Sequence, residues 1–293
     1  MVESPLVSAV ITTRNRLPLL KRAVASVYSQ TYENIELIVV DDGSDDGTEE
    51  WCSSQEFHYI RIPIGESRGG NYARNLGIKA SVGDYIAFLD DDDYWFPEKT
   101  VKQLSKIRQS VNLVVYTLRK FEFASKRNSV VEPFRVGLEG DIKEKCLYNG
   151  GFTSTSTLMV RRKALYDVGL WDEDLGIWQD NDLIIRLAQA NHFVCIKLPM
   201  TVYWIDERDK AKLSNKYFEW KKNVTYLRKK HHNLLNRLSV TDKLKLVKFY
   251  VFEAAHKAGY AGLHCKKFKY QLIYALLSPG SAFRVLKKKL YYK

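Results

Sequence analysis

The chain has 293 residues, of which 45% are hydrophobic and 27% charged, and its formal net charge is +12. That composition is ordinary for a globular protein and excludes a disordered or collagen-like chain. The four cysteines, Cys52, Cys146, Cys195 and Cys265, form no C-x-x-C pair, so a zinc site and a disulfide framework are not expected and a reducing cytosol is.

Val7 to Thr12 is an apolar strand candidate, followed by a helix that starts near Pro18 and runs through Ala23, Val24 and Val27. Ile35 to Val40 is a second strand that ends in Asp41-Asp42-Gly43-Ser44. A short helix over Thr48 to Gln55, a weak strand over His58 to Pro63 and a helix over Asn71 to Ala80 come next. Tyr85 to Leu89 is a buried strand leading into four aspartates, Asp90 to Asp93. A helix from Pro97 to about Gln109 precedes a strand over Leu113 to Phe123. Gly150-Gly151 opens a turn before a strand over Thr155 to Val160. Asp180 to Ala190 reads as an amphipathic helix, and Phe193 to Tyr203 as a strand. From about Lys210 the pattern is helical, basic and aromatic. No run of 18 or more apolar residues occurs, so no membrane span is expected, and the N-terminus lacks the basic and apolar regions of a signal peptide.

Strands alternating with helices predict a parallel sheet with right-handed crossovers, and such sheets bind ligands beyond the carboxyl ends of their strands. Thr12-Thr13, Asp41-Asp42 and Asp90 to Asp93 all fall at those ends. Crowded carboxylates raise one another's pKa unless a cation neutralises them, and hard divalent ions choose oxygen ligands while leaving positions open for phosphate. The Asp90–Asp93 run therefore predicts a metal holding a phosphorylated ligand; the bland alternative is a solvated acidic turn. Asp42, Ser44, Asp46 and Gly47 imitate part of a calcium loop, but its closing glutamate position holds Ser53, which rules the loop out. A carboxylate at the second strand's tip can instead accept from a base N–H or a ribose hydroxyl. Arg68-Gly69-Gly70-Asn71 and Arg74-Asn75 put cations before a helix N-terminus, which suits a diphosphate. Asp180 and Asp182 near a helix start are explained by N-capping on sequence alone, with a general base as the functional alternative.

In order and spacing, several segments resemble the family-two inverting glycosyltransferases: Val7 to Arg16, Ser29 to Tyr32, Glu36 to Ser44, Ala73 to Ile78, Phe88 to Asp93, Gly169 to Glu173 and Asp180 to Leu183. The resemblance covers about residues 5 to 205. It implies an α/β GT-A fold, with a mostly parallel central sheet flanked by helices and a C-terminal helical extension. It also implies a nucleotide-diphospho-sugar donor, with a UDP-sugar expected, and Mn²⁺ or Mg²⁺. Thr12 and Asp42 then match base contacts, with Thr13, Asn15, Asp41, Arg68 and Arg74 beside the nucleotide sugar. Asp90 and Asp92 match a metal-binding D-x-D pair, Asp91 a ribose contact, and Asp180 the catalytic base. Two departures stand out. Gln179 occupies a position where the family often has Glu, and no His follows the strand ending at Tyr203. Asp206 as a third metal ligand, or Arg208 as a phosphate contact, fills that second role.

Residues 208 to 293 hold 22 Lys and Arg against 4 Asp and Glu, whereas residues 1 to 207 carry a net negative charge. This asymmetry predicts a catalytic body at 1–207, with a nucleotide half at 1–100 and an acceptor half at 101–207, and a basic extension at 208–293. Ser281 to Tyr292 sets Phe283, Leu286 and Leu290 on one helical face among lysines, which predicts contact with an anionic membrane surface. The expected activity is transfer of a hexosyl or N-acetylhexosaminyl group to a lipid-linked oligosaccharide or polysaccharide acceptor. The expected location is the cytoplasmic face of the membrane, with no nucleic-acid partner. The competing readings are a sugar nucleotidyltransferase, which needs a glycine-rich lysine loop where Thr13 to Arg16 stand, and a non-catalytic glycan-binding scaffold.

Overall fold

The structure is a computed structural model that describes residues 4–131, 137–206 and 216–278. Two compact units separate. One falls within Met1–Cys146, Gly150–Leu175 and Gln179–Arg208, and the other within Leu147–Asn149, Gly176–Trp178 and Asp209–Lys293.

The first unit begins β1 (Val7–Thr13), α1 (Leu17–Tyr28), β2 (Ile35–Asp41), α2 (Thr48–Ser53), β3 (His58–Arg61), α3 (Gly70–Ala80), β4 (Tyr85–Asp90). It continues β5 (Tyr94–Trp95), α4 (Lys99–Ile107), β6 (Leu113–Phe123), β7 (Lys126–Val131), β8 (Leu158–Arg161), α5 (Arg162–Asp167), α6 (Gln179–Ala188) and β9 (His192–Ile205). The described strands form one sheet in the order β3-β2-β1-β4-β8-β6-β9-β5, with β7 paired to β6. The β3-β2-β1-β4 part is parallel throughout. Beyond it β8 runs antiparallel to both β4 and β6, while β6 and β9 are parallel.

Alternation along the strands explains this half of the fold. Val7, Ala9, Ile11, Leu37 and Val39 face one core with Leu20, Ala23, Val24 and Val27 of α1. Ile38 and Val40 face the opposite core with Ala73 of α3. Strands apolar on both faces need cover on both, and the crossover helices supply it. The approach of α3 is close: a Cβ on Gly77 would lie 2.5 Å from Cγ1 of Val10.

Thr155–Thr157, expected as strand, forms a 3-10 turn instead, and the strand starts at Leu158. Hydroxyl groups cause the difference. Thr157 Oγ1 donates to the Ser154 carbonyl at 2.7 Å and accepts from the Ser154 N–H at 3.2 Å, so local bonds replace ladder bonds. The mostly parallel sheet expected is found: pairing is parallel from β1 to β4 and between β6 and β9, and β8 returns antiparallel between β4 and β6. The short elements β5, β7 and α5 carry no periodicity of their own and were not foreseen.

The second unit contains α7 (Tyr217–Lys230), α8 (His232–Arg237), α9 (Val240–Tyr260) and α10 (His264–Leu277). Its core joins Tyr217, Trp220 and Val224 of α7 with Ala254 and Ala258 of α9. Trp178 stacks there against Phe249 and Tyr250 at 5.6 and 6.0 Å. Phe268, Leu272 and Leu276 of α10 are exposed. Among the described residues no helix is long and apolar enough to cross a membrane. The expected amphipathic helix over Ser281 to Tyr292 lies outside the described residues.

Lys99, at the start of α4, is fully buried, and its Nζ has no hydrogen-bond partner. The amine sits 3.9 Å from the centre of the Trp95 ring. Burial holds its pKa well below the usual lysine value. Unfolding therefore takes up a proton across the interval between the folded and unfolded pKa, and stability falls as the pH is lowered through that interval. Lys99→Met, of similar length, should raise the unfolding free energy by roughly 1–3 kcal/mol near neutral pH, with a smaller gain in alkaline buffer. Urea melts at several pH values measure this, and a destabilised variant would contradict it.

Candidate functional site

The parallel register sets the tips of β1, β2 and β4 in one row. Thr12 pairs with Asp90 across β1–β4, and Thr13 with Asp41 across β1–β2. Each strand then breaks into a loop whose polar side chains bind the neighbouring loops. Asn15 takes a left-handed backbone with φ of 53°; its N–H donates to Ser44 Oγ at 2.9 Å, and its Oδ1 accepts from the Asp45 N–H at 2.8 Å. The β1 loop is thereby locked to the β2 loop.

Asp41 and Asp42 have different tasks. Asp41 is fully buried; its Oδ1 accepts from Ser44 N–H and Oγ, and its Oδ2 from the Tyr59 hydroxyl at 2.9 Å. That carboxylate is engaged inside the loop. Asp42 lies at the opening of the segment after β3. It accepts from Ser67 Oγ at 2.8 Å, the Gly69 N–H at 3.1 Å and the Arg68 N–H at 3.3 Å. Arg14 donates to the same Ser67 hydroxyl at 2.7 Å. The exposed Arg68 side chain lies 4.1 Å over the Tyr72 ring and pairs with Glu173 at 2.9 Å.

The aspartate run is held from several directions. Asp90 pairs with Arg74 at 2.7 Å, and Arg74 is buried over Trp171. Thr13 donates to Asp91 at 2.8 Å. One Arg16 nitrogen reaches Asp91 at 3.2 Å and Asp92 at 3.1 Å. Arg22 donates to the Asp92 carbonyl and packs over Tyr94 and Trp204. Asp93 accepts from the Trp204 N–H at 3.0 Å. Burial pushes the Asp91 carboxyl up to about 6, the charge of Asp92 adds to this, and Arg16 opposes it. Burial likewise raises Asp93, whose buried Oδ2 has no hydrogen-bond partner.

The donors here are hard oxygens only. Among the described residues they do not close into a cage of three or more His, Cys, Asp or Glu. Two carboxylates and an open remainder fit Mg²⁺ or Mn²⁺, which complete their shells with phosphate oxygens and water. The buried Asp93 oxygen without a hydrogen-bond partner and the Asp91 carboxyl, raised first by burial and then by Asp92, are groups whose charged forms a cation would favour.

Asp180 opens α6. Burial raises its pKa; the Asn181 N–H, 2.9 Å away, and Arg119 act in the opposite direction, Asp90 adds to the rise, and Arg74 reduces it. Asp180 is thus within electrostatic reach of the β4 tip, although nearly a hundred positions separate them. Arg119 of β6 donates to the Gly151 carbonyl at 3.0 Å and lies over Phe121 and Tyr203.

The Trp171 segment joins these parts. Asn75 of α3 donates to the Trp171 carbonyl and accepts from its N–H, both at 2.9 Å, and also donates to Glu173. Arg186 of α6 donates to the carbonyls of Val168 and Leu170, each at 2.6 Å. It also pairs through two nitrogens with the fully buried Asp182. Gly169 and Leu170 both have left-handed backbones, with φ of 84° and 61°, so a guanidinium clamps a strained turn.

The structure thus brings together Thr13, Arg74, Asp90, Asp91, Asp92 and Asp180, with Thr12 in the same row. Asp42 and Arg68 lie on the adjoining β2–β3 side. Asp206 directly follows β9, two residues beyond the Trp204 that binds Asp93, and Arg208 lies outside the described residues. Sequence reasoning missed Arg16, Arg22, Ser67 and the Asp182–Arg186 clamp. Of these, the clamp alone had a local signal, a carboxylate four positions before an arginine on a helix.

The family model described as Glycosyl transferase family 2 matches residues 8–169. The amylovoran biosynthesis glycosyltransferase AmsB of Erwinia amylovora is 32% identical over 210 residues, which is 67% of this chain and 68% of that protein. An uncharacterized glycosyltransferase of Rickettsia felis is 29% identical over 219 residues, which is 72% of this chain and 36% of that protein. The chain spans about a third of the length of the Rickettsia felis, bellii and conorii relatives. S. aureus TarS 1–349 in complex with UDP-GlcNAc superposes with a TM-score of 0.61 at 13% identity, covering 94% of this chain and 91% of that one. The mannosyltransferase PcManGT from Pyrobaculum calidifontis, in complex with GDP-Man and Mn²⁺, gives 0.59 at 16% identity, covering 97% and 87%. At these identities the likeness establishes the fold.

Arg186→Ala strips the guanidinium from a buried carboxylate and from two carbonyls. It should cost about 3–5 kcal/mol of stability in urea unfolding, and a loss below about 1 kcal/mol, the level of a surface pair, would show that the clamp is dispensable.

Proposed function

The chain belongs to glycosyl transferase family 2, and from that premise we propose that it is an inverting, metal-dependent glycosyltransferase. Its fold is the GT-A arrangement of the glycosyltransferases it superposes on. The donor in this reading is a nucleotide-diphospho-sugar, with a UDP-sugar preferred, and the acceptor is a hydroxyl of a lipid-linked oligosaccharide or a growing polysaccharide. Residues up to about 100 bind the donor, and residues 101–207 shape the acceptor side. The basic extension meets an anionic membrane surface.

One observation supports this most: carboxylates from the tips of separate strands and from the start of α6 converge, with Asp180 sensing both Asp90 and Arg74. A sugar poised between those groups has its diphosphate toward the aspartates and its anomeric carbon toward Asp180. In this reading Asp42 and Thr12 contact the base or ribose, which the hold of Asp42 on the Ser67–Gly69 segment supports. Asp41 supports the loop from within. Asn15 fixes the β1 and β2 loops to each other, so the nucleotide pocket is formed in advance. Thr13 aims Asp91 towards the ribose, and Arg74 aims Asp90.

Asp90 and Asp92, with Asp206 as a further candidate ligand, would hold a divalent cation, which would supply positive charge against the departing diphosphate. Asp180 accepts the acceptor hydroxyl proton. The acceptor oxygen forms its bond to the anomeric carbon as the bond to the diphosphate oxygen breaks, and that electron pair leaves with the nucleoside diphosphate. In-line attack inverts the anomeric centre. The upward push on the Asp180 pKa makes it a stronger proton acceptor than an exposed carboxylate.

Asp180→Asn should lower sugar transfer by about 10²–10⁴-fold while donor binding persists. Asp92→Ala should abolish the Mn²⁺-dependent thermal stabilisation given by the donor, which a nucleotide-sugar screen reads directly. Full turnover by Asp180→Asn would remove the assigned base, and donor stabilisation of Asp92→Ala equal to wild type would remove the assigned metal site.

A further inference from the structure

The described part of the second unit, residues 216–278, carries fourteen Lys and Arg against three Asp and Glu. Two of those acids are engaged locally: Glu219 with Lys216 at 3.5 Å, and Asp242 with Lys245 at 2.8 Å. The positive charge is not simply spread over the surface. A cleft of about 340 Å³ opens where α7 meets α8, lined by Thr225, Arg228, Lys229, His232, Leu235 and Asn236.

Sequence spacing builds this cleft. Thr225, Arg228, Lys229 and His232 recur at intervals of three and four, so they share one side of the helical path. The α7 helix ends at Lys230, and the buried His231 turns the chain into α8. Its carbonyl accepts from the Leu235 N–H at 3.1 Å, which brings Leu235 and Asn236 round as the second wall. Lys243 donates to the Asn236 carbonyl at 3.2 Å and adds a cation at the rim. The ring of His232 is oriented too: its Nδ1 lies 2.9 Å from the Lys229 carbonyl, an acceptor, so Nδ1 carries the hydrogen and Nε2 faces away.

The negative end of the α7 dipole accounts for cations in its last turn. It does not account for the concavity, or for the Asn236 amide from the second wall that lines it with them. No carboxylate lines the cleft. Among the described residues, no carboxylate pairs with Arg228 or Lys229, whereas Lys216 and Lys245 on the same unit have theirs. A guanidinium fork beside an ammonium matches the oxygens of a tetrahedral oxyanion, and Asn236 offers a neutral donor to the rest, while the Thr225 hydroxyl donates to the Lys221 carbonyl at 3.0 Å and serves as wall. The volume is at the small end of ligand sites and suits a phosphate with a few attached carbons.

We propose that this cleft is a phosphate-ester binding site, with Arg228 and Lys229 as charged contacts, Asn236 as a hydrogen-bond donor, and Thr225, His232 and Leu235 as walls. The site goes beyond the donor reading above and depends on neither the nucleotide sugar nor the metal. A lipid headgroup and a soluble phosphate ester share this chemistry, and the test separates them.

Binding is measured by titration calorimetry on the full chain with glycerol 3-phosphate, and by sedimentation with phosphatidylcholine vesicles with and without phosphatidylglycerol. Three variants accompany wild type: Arg228→Gln/Lys229→Gln, Arg228→Ala/Lys229→Ala, and the charge-matched control Lys221→Gln/Lys222→Gln, whose residues lie outside the cleft. Both cleft variants should weaken binding to at least one probe by roughly tenfold or more, while the control stays within about twofold. Circular dichroism and donor-induced thermal stabilisation, both unchanged, verify the fold. Loss confined to the soluble ester identifies a soluble ligand, and loss confined to the phosphatidylglycerol vesicles identifies a headgroup. Equal weakening in the control would reduce the effect to diffuse charge and overturn the site, as would cleft variants that bind both probes like wild type, or a wild type that binds neither.

Discussion

Mutual repulsion within the Asp90–Asp93 run is the constraint around which the first unit is arranged. Carboxylates packed at one strand end cannot all stay charged in a partly buried place without cations beside them. The chain supplies Arg16 from the β1 loop, Arg22 from α1 and Arg74 from α3. Each of these comes from an element that crosses over the parallel strands, so compensating the charge also fixes those elements relative to the sheet. Burial raises Asp91 and Asp93, and the neighbouring aspartates add to the rise. In the proposed mechanism a divalent ion would add its positive charge to that of the arginines and favour the charged carboxylates.

The second principle is that loop polar groups are satisfied by other loops. Asp41 is consumed by Ser44 and Tyr59, Asp42 by the Ser67–Gly69 segment, and Asn75 by Trp171 and Glu173. Buried polar groups left without partners are costly, so these contacts specify one loop arrangement. A pocket held this way in the absence of ligand loses little freedom on binding.

How much of this could be read beforehand follows from the range of each interaction. The strands β1, β2 and β4 were legible because apolar runs ending in polar residues are local patterns. The acidic tips were legible for the same reason, and parallel pairing then aligned them. The division between Asp41 and Asp42 was not legible, because it depends on Tyr59 and Ser67, which only tertiary folding brings near. Arg16 and Arg22 stood in plain view, but nothing local distinguishes a clamping arginine from a solvated one. The 3-10 turn at Thr155–Thr157 was misread because β-branched residues favour strands unless their hydroxyls capture the backbone, which Thr157 does. The role of Asp180 came from resemblance; a helix-capping carboxylate looks the same in one dimension.

The antiparallel strand β8 is only four residues long, yet it is the stitch between β4 and β6 in the order of the sheet. Three residue pairs join it to β4 and three to β6. Side-chain bonds reinforce so narrow a seam: Trp95 Nε1 donates to the Ser156 carbonyl and Gln103 to the carbonyls of Val115 and Thr157, so deleting either side chain loads the strand pairing itself. The register that aligns Thr12, Asp41 and Asp90 is set by β1, β2 and β4 alone, whereas the Trp171 segment ties the later part of the chain to α3.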